Sequence, residues 1–300
     1  MQRLRQKVLA VLGRSPERPA WALMAPAVLW LVLFFLVPVL LLAAYSFMPR
    51  GTYGGVEPGL TFEHYRRFFD PLYLSILQRT VIVSLACTAI CLLLGYPVAY
   101  AIARSRRWRN LLLFLVILPF WTSFLVRTFA MIFLLRDTGL INSWLLALGW
   151  IDQPLTLLYT PFAVLAGLVY TFLPFMVLPI YASLEKVDWS LLEAAEVLGA
   201  GPVARFFKVT LPLSGPGVVA GSLLVFIPTL GSFLPSDLLG GAKEMLIGNL
   251  VQNQFTAARN WPFGSAASYV VMIGVLLGVV AYLRSQTVEV GRRQSKAVEK

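Results

Sequence analysis

Glu185-Lys-Val-Asp-Trp-Ser190-Leu-Leu-Glu193-Ala-Ala-Glu-Val-Leu-Gly199-Ala-Gly-Pro202 is a polar connection between two long apolar runs, 157–184 and 213–238. It carries its own local grammar. Ser190 followed three residues later by Glu193 reads as a capping box, in which hydroxyl and carboxylate satisfy orphan amides at a helix start. Gly199 then ends the helix as a left-handed cap, and Pro202 opens a second helix at its first position. A helix of about eight residues is about 12 Å long, too short to cross a bilayer. One face offers Leu191, Leu192, Ala195 and Leu198, while Ala194 and Ala195 keep the helix slim enough to enter a groove on another protein. The plainer reading is a helix that only ties two spans together.

Outward from this connection the chain is overwhelmingly apolar: 58% of its 300 residues are hydrophobic and 13% charged, with mean hydropathy +0.76. That balance excludes a soluble enzyme. A span needs about 20 apolar residues, and six runs qualify, at about 22–48, 80–103, 110–135, 157–184, 213–238 and 265–284. The fold class is therefore all-α: a polytopic membrane protein with six transmembrane helices forming a single domain over 1–300. Cys87 and Cys91, four apart within one run, read as small packing residues. With His64 the single histidine and no Cys, His and carboxylate set at ligand spacing, no metal and no histidine-based catalytic site is expected.

The formal charge of +11 is a matter of topology. Six spans put both tails on one side, and that side holds 17 of the 25 Lys and Arg residues against 7 opposite, with Arg127 inside a span. Acidic residues divide 7 and 7, so the basic face is the cytoplasmic one and nucleic acid is not an expected partner. The cytoplasmic parts are then a basic N-terminal segment 1–21, the connection 185–212 and a tail 285–300. Leu4, Val8, Leu9 and Leu12 among Arg3, Arg5 and Lys7 suit a short helix on the anionic inner leaflet. The run after it is too long for a secretion signal and lacks a small-residue cleavage site, so the first span is retained.

Outside, the longest loop, about 49–79, holds Gly51, Gly54, Gly55, Pro58 and Gly59 and could receive a soluble partner or simply join two spans. Ile141–Leu148 is an apolar stretch too short to cross, which suits an interfacial half-helix. Pro38, Pro97, Pro119, Pro174, Pro179, Pro228 and Pro235 fall inside the runs, where each freed carbonyl needs another partner. Gly217 and Gly221 make a small-x-x-x-small pair for close helix approach.

The pattern Glu193-Ala194-Ala195, three residues, Gly199, nine residues, Val209, one residue, Leu211-Pro212 resembles the EAA loop of the permease subunits of ABC importers, with valine where isoleucine is commoner. The resemblance implies the type I importer permease fold and makes Ser190–Gly199 the coupling helix that sits in a cleft of a cytoplasmic ATPase. It implies that Glu193 and Gly199 shape that helix and that the alanine pair fits the cleft. No Gly-x-x-x-x-Gly-Lys-Ser/Thr loop occurs here, so ATP and Mg would belong to a partner ATPase homodimer and this chain would carry no cofactor and no catalysis. A second permease subunit, a periplasmic solute-binding protein and the bacterial inner membrane complete the implied setting. Leu118-Pro-Phe-Trp121-Thr-Ser-Phe-Leu-Val-Arg127, Leu173-Pro-Phe-Met-Val-Leu-Pro179, Ser236-Asp237-Leu-Leu-Gly-Gly-Ala-Lys243 and Asn260-Trp261-Pro-Phe-Gly264 look like the spermidine/putrescine branch. Related subunits carry ferric ion, sulfate or thiosulfate.

A polyamine entering a low-dielectric path needs carboxylates, carbonyl dipoles or aromatic faces in place of water. Asp237 at the outer end of the fifth run is the acidic candidate, with Asp137 and Asp152 at outer margins; Trp121, Phe124, Tyr170, Phe175 and Phe233, with Phe120, Phe172 and Tyr181, are candidate aromatic walls. Arg127 would repel such a cargo and is expected to snorkel outward or pair with an acid such as Asp137. The rival class, an ion-gradient-driven secondary transporter, would show internal repeats and titratable midplane groups, and neither is evident.

Overall fold

The computed structural model describes residues 17–105, 107–241 and 244–298, with side chains over 24–281 outside those gaps and at 284. The inner-leaflet helix expected from Leu4 to Leu12 lies outside the described residues, as do Ala242 and Lys243. Among the described residues there are helices, no strand, and one isolated bridge between Arg50 and Val56.

Five helices are long and apolar enough to cross a membrane, or six if one bent pair counts as a span. Contacts divide the chain into two compact units, residues 1–68 with 254–300, and 69–253.

The first unit begins with α1, Glu17–Leu31, which passes through a π turn, Val32–Leu36, into α2, Val37–Ser46. Pro38 is the cause: it cannot donate to the Phe34 carbonyl, and the preceding Val37 N–H reaches back five residues to Val32. The outer loop is less open than its glycines suggest, because 63–68 form α3, Glu63–Phe68. His64 is buried, with Nε2 3.0 Å from the Met48 carbonyl, and Ser46 meets the Tyr65 hydroxyl at 2.7 Å. Later in the unit, Arg50 donates to the Ala258 carbonyl at 2.9 Å, and the Gly55 N–H donates to that of Arg259 at 2.9 Å.

The second unit is built on α4, Pro71–Arg104, which starts nine residues before the run read from the sequence. The third run is not one continuous helix. It comprises α5, Arg109–Ile117, a 3₁₀ turn Leu118–Trp121, and α6, Phe124–Leu135. The pair Arg109–Trp121 and Phe124–Ala147 is bent by 96°. Pro119 starts the 3₁₀ turn, Thr122 is extended, and Ser123 restarts the chain by accepting the Val126 N–H at 3.2 Å. The half-helix then appears as α7, Leu140–Ala147, closed by Gly149 at φ +68°.

Two helices complete the packing around α4: α8, Pro161–Leu184, and the helix that follows the polar connection. That connection contains α9, Ser190–Val197, and α10, Pro202–Arg205. A second π turn, Phe206–Thr210, leads into α11, Leu211–Gly231, where Pro212 cannot donate and the Leu211 N–H reaches back to Phe206. The fifth run breaks at Ser232–Phe233, and α12, Leu234–Gly240, follows. The unit boundary falls inside α13, Ile247–Phe255. The chain closes with α14, Trp261–Val298, so the tail is helical as far as Val298.

The core of the second unit lies between α4, α8 and α11, with Cys87, Cys91, Ala99, Leu168, Met176, Ile180 and Val225 buried. The cysteines act as packing residues. The glycine pair does what its spacing suggests: a Cβ at Gly217 would sit 2.4 Å from the Pro179 carbonyl oxygen, and one at Gly221 2.9 Å from the Met176 sulfur. One polar thread crosses this core, where the Tyr96 hydroxyl meets Ser214 at 2.8 Å and Ser214 donates to the Thr210 carbonyl at 2.9 Å. In low dielectric such groups must be satisfied internally, and these are.

Candidate coupling helix and pathway residues

The connection leaves α8 at Glu185, crosses the buried Val187 and turns into α9. The capping box does not form. Trp189 and Ser190 already have helical backbone, so the start moves back to Asp188, whose carboxylate accepts the Ser190 N–H at 3.0 Å and whose carbonyl accepts that of Leu191 at 3.2 Å. The far end follows the reading closely. Gly199 has φ +83°; its N–H donates to the Glu196 carbonyl at 2.9 Å, and the Ala200 N–H donates to that of Ala195 at 2.9 Å. That pair of bonds is a Schellman closure. Pro202 opens α10.

Three contacts grip the helix. The Trp189 ring is met edge-on by Tyr100 at 5.8 Å and covered by the Arg104 guanidinium at 5.1 Å, both from the end of α4. Glu196 pairs with Arg205 of α10. At the head of the connection Glu185 pairs with Arg109, whose Nε also donates to the Tyr181 hydroxyl at 2.6 Å. Between the helix and the bundle lies a cavity of about 310 Å³ lined by Tyr100, Arg104, Trp189, Leu192, Glu193 and Phe206, among others.

The face turned away differs from the expected one. Leu192 and Ala195 are half-buried, while Leu191, Ala194, Val197 and Leu198 are exposed, the last two at 88% and 87%. Positions 191, 194 and 198 share one helical stripe, so α9 presents an exposed apolar stripe. Val197 and the grip residues Tyr100, Arg104, Asp188 and Trp189 were not singled out in the sequence. Trp189, an indole beside a predicted helix start, was the available signal.

The six aromatic and acidic pathway candidates do not form one site. Phe233 and Asp237 come together, because α12 begins between them and the Asp237 N–H donates to the Phe233 carbonyl at 2.9 Å. The carboxylate of Asp237 is exposed. Asn249, buried and unremarked in the sequence, donates to the same Phe233 carbonyl at 3.0 Å and accepts the Leu246 N–H at 3.2 Å. Trp121 is 74% exposed against Phe114, and Tyr170 is exposed separately. Phe124 and Phe175 belong to a cluster around Arg127: the guanidinium lies 5.8 Å from Phe124 and 6.0 Å from Phe120, whose ring is 5.0 Å from Phe175.

Arg127 itself corrects the expectation. It is buried rather than snorkelling, and no described carboxylate, Asp137 included, is in ion-pair distance. It occupies the first turn of α6 on the inward face shared with Thr128 and Leu135.

Residues 91–289 match the family described as binding-protein-dependent transport system inner membrane component. The chain is 45% identical over 257 residues to the spermidine/putrescine transport system permease protein PotB of Haemophilus influenzae, covering 85% of this chain and 90% of the relative. PotB of Escherichia coli is also 45% identical, over 94% of its length. A bacterial ABC transporter involved in the import of the acidic polysaccharide alginate shares the fold, with TM-score 0.68 at 18% identity over 93% of this chain and 98% of that one. With two thirds of its length inside the family match and close relatives along most of the remainder, the chain belongs to the inner membrane components of binding-protein-dependent transport systems.

Proposed function

We propose that the chain is a permease subunit of an ATP-driven ABC importer of polyamines, one permease domain over 1–300 in the bacterial inner membrane. The reading is carried by α9: a short, gripped helix with Leu191, Ala194, Val197 and Leu198 exposed, within a match to the EAA loop. Its docking surface fits a cleft of a partner ATPase homodimer, which holds ATP and Mg; this chain carries out no covalent chemistry. The excess of basic residues supports a cytoplasmic side for the 185–212 connection, the 1–21 segment and the 285–300 tail. A second permease subunit completes the path, and a periplasmic binding protein delivers cargo to the outer side. The cargo assignment rests on the PotB relatives.

Closure of the ATPase pair would push α9, and through Trp189, Arg104 and Glu196 the load reaches α4 and α10. ATP and loaded binding protein drive the change because they bind one state better than the other. On the outer side Asp237 and Phe233 offer a carboxylate and an aromatic edge one turn apart, suited to an alkylammonium group. Trp121 and Tyr170 are further wall candidates. Phe124 lies against the Arg127 guanidinium and Phe175 packs on Phe120, which does the same, so both are left out of the path.

The test is purification of the tagged chain with what accompanies it, followed by spermidine uptake in proteoliposomes. Two ATPase copies and one second permease per chain, with uptake lost in Glu193→Lys but assembly retained, is the expected result. A chain recovered alone would overturn the importer reading, and full uptake by Asp237→Asn would overturn the acidic entrance.

A further inference from the structure

Arg127 is 8% exposed and its Nε and Nη1 have no hydrogen-bond partner. A guanidinium stays protonated at any physiological pH, so burial cannot neutralise it. Two Phe faces at 5.8 and 6.0 Å supply its surroundings, and ring quadrupoles do not replace five N–H bonds. The start of α6 adds to the positive potential: Ser123 caps a 12-residue helix whose first turn carries Arg127. The box is not sealed, because Phe120 and Phe124 are only half-buried. Beside it α6 turns Leu125, Val126, Phe129 and Phe133 outward, all more than 40% exposed. Acyl chains can cover those side chains and can do nothing for a guanidinium.

We infer that Arg127 is an intersubunit ion-pair residue, its partner a carboxylate of the second permease subunit that packs against the exposed face of α6. The inference rests on the two-permease reading above. Charge complementarity selects the occupant: this chain brings a buried cation at a helix N-terminus with no acid among its described residues in reach, so the acid comes from the chain that covers the adjoining apolar face. The pair also removes a positive charge that would oppose a cationic cargo.

Arg127→Met tests this in two preparations. In the chain purified alone, losing an unsatisfied buried charge leaves the thermal midpoint equal to or above that of the wild type, which also shows that the variant folds. In the importer purified from membranes, Arg127→Met lowers recovery of the second permease at least fivefold, while Arg127→Lys retains most of it. Charge reversal at Arg127 restored by Lys at one acid of the companion would identify the pair. Companion recovery unchanged in Arg127→Met overturns the inference, and so does that result accompanied by loss of bound phosphatidylglycerol, which would assign the guanidinium to a lipid headgroup. If the wild-type chain itself brings no second permease, the importer reading falls first.

Discussion

The guanidinium of Arg104 lies 5.1 Å from the centre of the Trp189 ring, so the last residue of α4 holds the side chain immediately preceding α9. With the Tyr100 edge contact, this joint is worth about 1–2 kcal/mol, roughly a tenfold effect. Trp189→Ala is expected to leave the complex assembled, lower polyamine uptake about tenfold, and free ATP hydrolysis from its dependence on loaded binding protein. Trp189→Phe keeps the ring and should retain most coupling. Parallel hydrolysis and uptake assays in proteoliposomes check both.

The left-handed closure at Gly199 is a backbone requirement alone, since φ is +83° and an added Cβ would meet nothing within 4 Å. Gly199→Ala should therefore cost about 1–2 kcal/mol locally, and Gly199→Val more. The expected outcome is faster protease cleavage around 195–202 and reduced uptake, graded Ala then Val, with the thermal midpoint of the chain nearly unchanged.

Close approach of α8 and α11 gives a paired prediction. Gly217→Ala forces a Cβ against the Pro179 carbonyl oxygen at 2.4 Å, whereas Gly215 faces open space. Overpacking of this kind costs about 1–3 kcal/mol. Gly217→Ala should melt several degrees lower in detergent, and Gly215→Ala should melt with the wild type.

Asn249 holds the helix break at Phe233 by two hydrogen bonds, and its side chain is 5% exposed. Asn249→Ala leaves the buried Leu246 N–H without its acceptor, at about 1–3 kcal/mol, and the Phe233 carbonyl with the Asp237 N–H alone. If Phe233 and Asp237 meet the cargo, the variant raises the spermidine concentration for half-maximal uptake while hydrolysis stimulated by loaded binding protein persists. Uptake titrations separate this from general destabilisation, which would lower both.

Much of the architecture could be read from the residues because the bilayer imposes a strong pattern on them: apolar length marked the five long helices, Gly199 the end of α9 and Pro202 the start of α10. What failed did so for local reasons. The 110–135 run looked continuous because hydropathy ignores direction; Pro119 with Thr122-Ser123 marked the bend, and only backbone geometry sets its 96°. Ser190 and Glu193 fit a capping box, yet Asp188 was equally placed to cap and reached the amide first. Asp137 was near Arg127 in sequence, but α6 runs between them and holds them apart. Asn249 carried no pattern that linked it to Phe233, and Trp189, though an indole beside a predicted helix start, gave no sign of its partners Tyr100 and Arg104 at the end of α4.

The π turn at Phe206–Thr210, like that at Val32–Leu36, ends two residues before a proline. Each inserts one residue into an otherwise α-helical path, and one residue is worth about 100° of azimuth and about 1.5 Å of advance. A deletion there would leave the composition of the connection almost untouched and still turn the docking stripe of Leu191, Ala194 and Leu198 by more than a quarter circle relative to α11. If α9 couples to an ATPase as proposed, the number of residues between Gly199 and Pro212 matters as much as their identities, and single-residue insertions or deletions in that interval should be tolerated far less than substitutions.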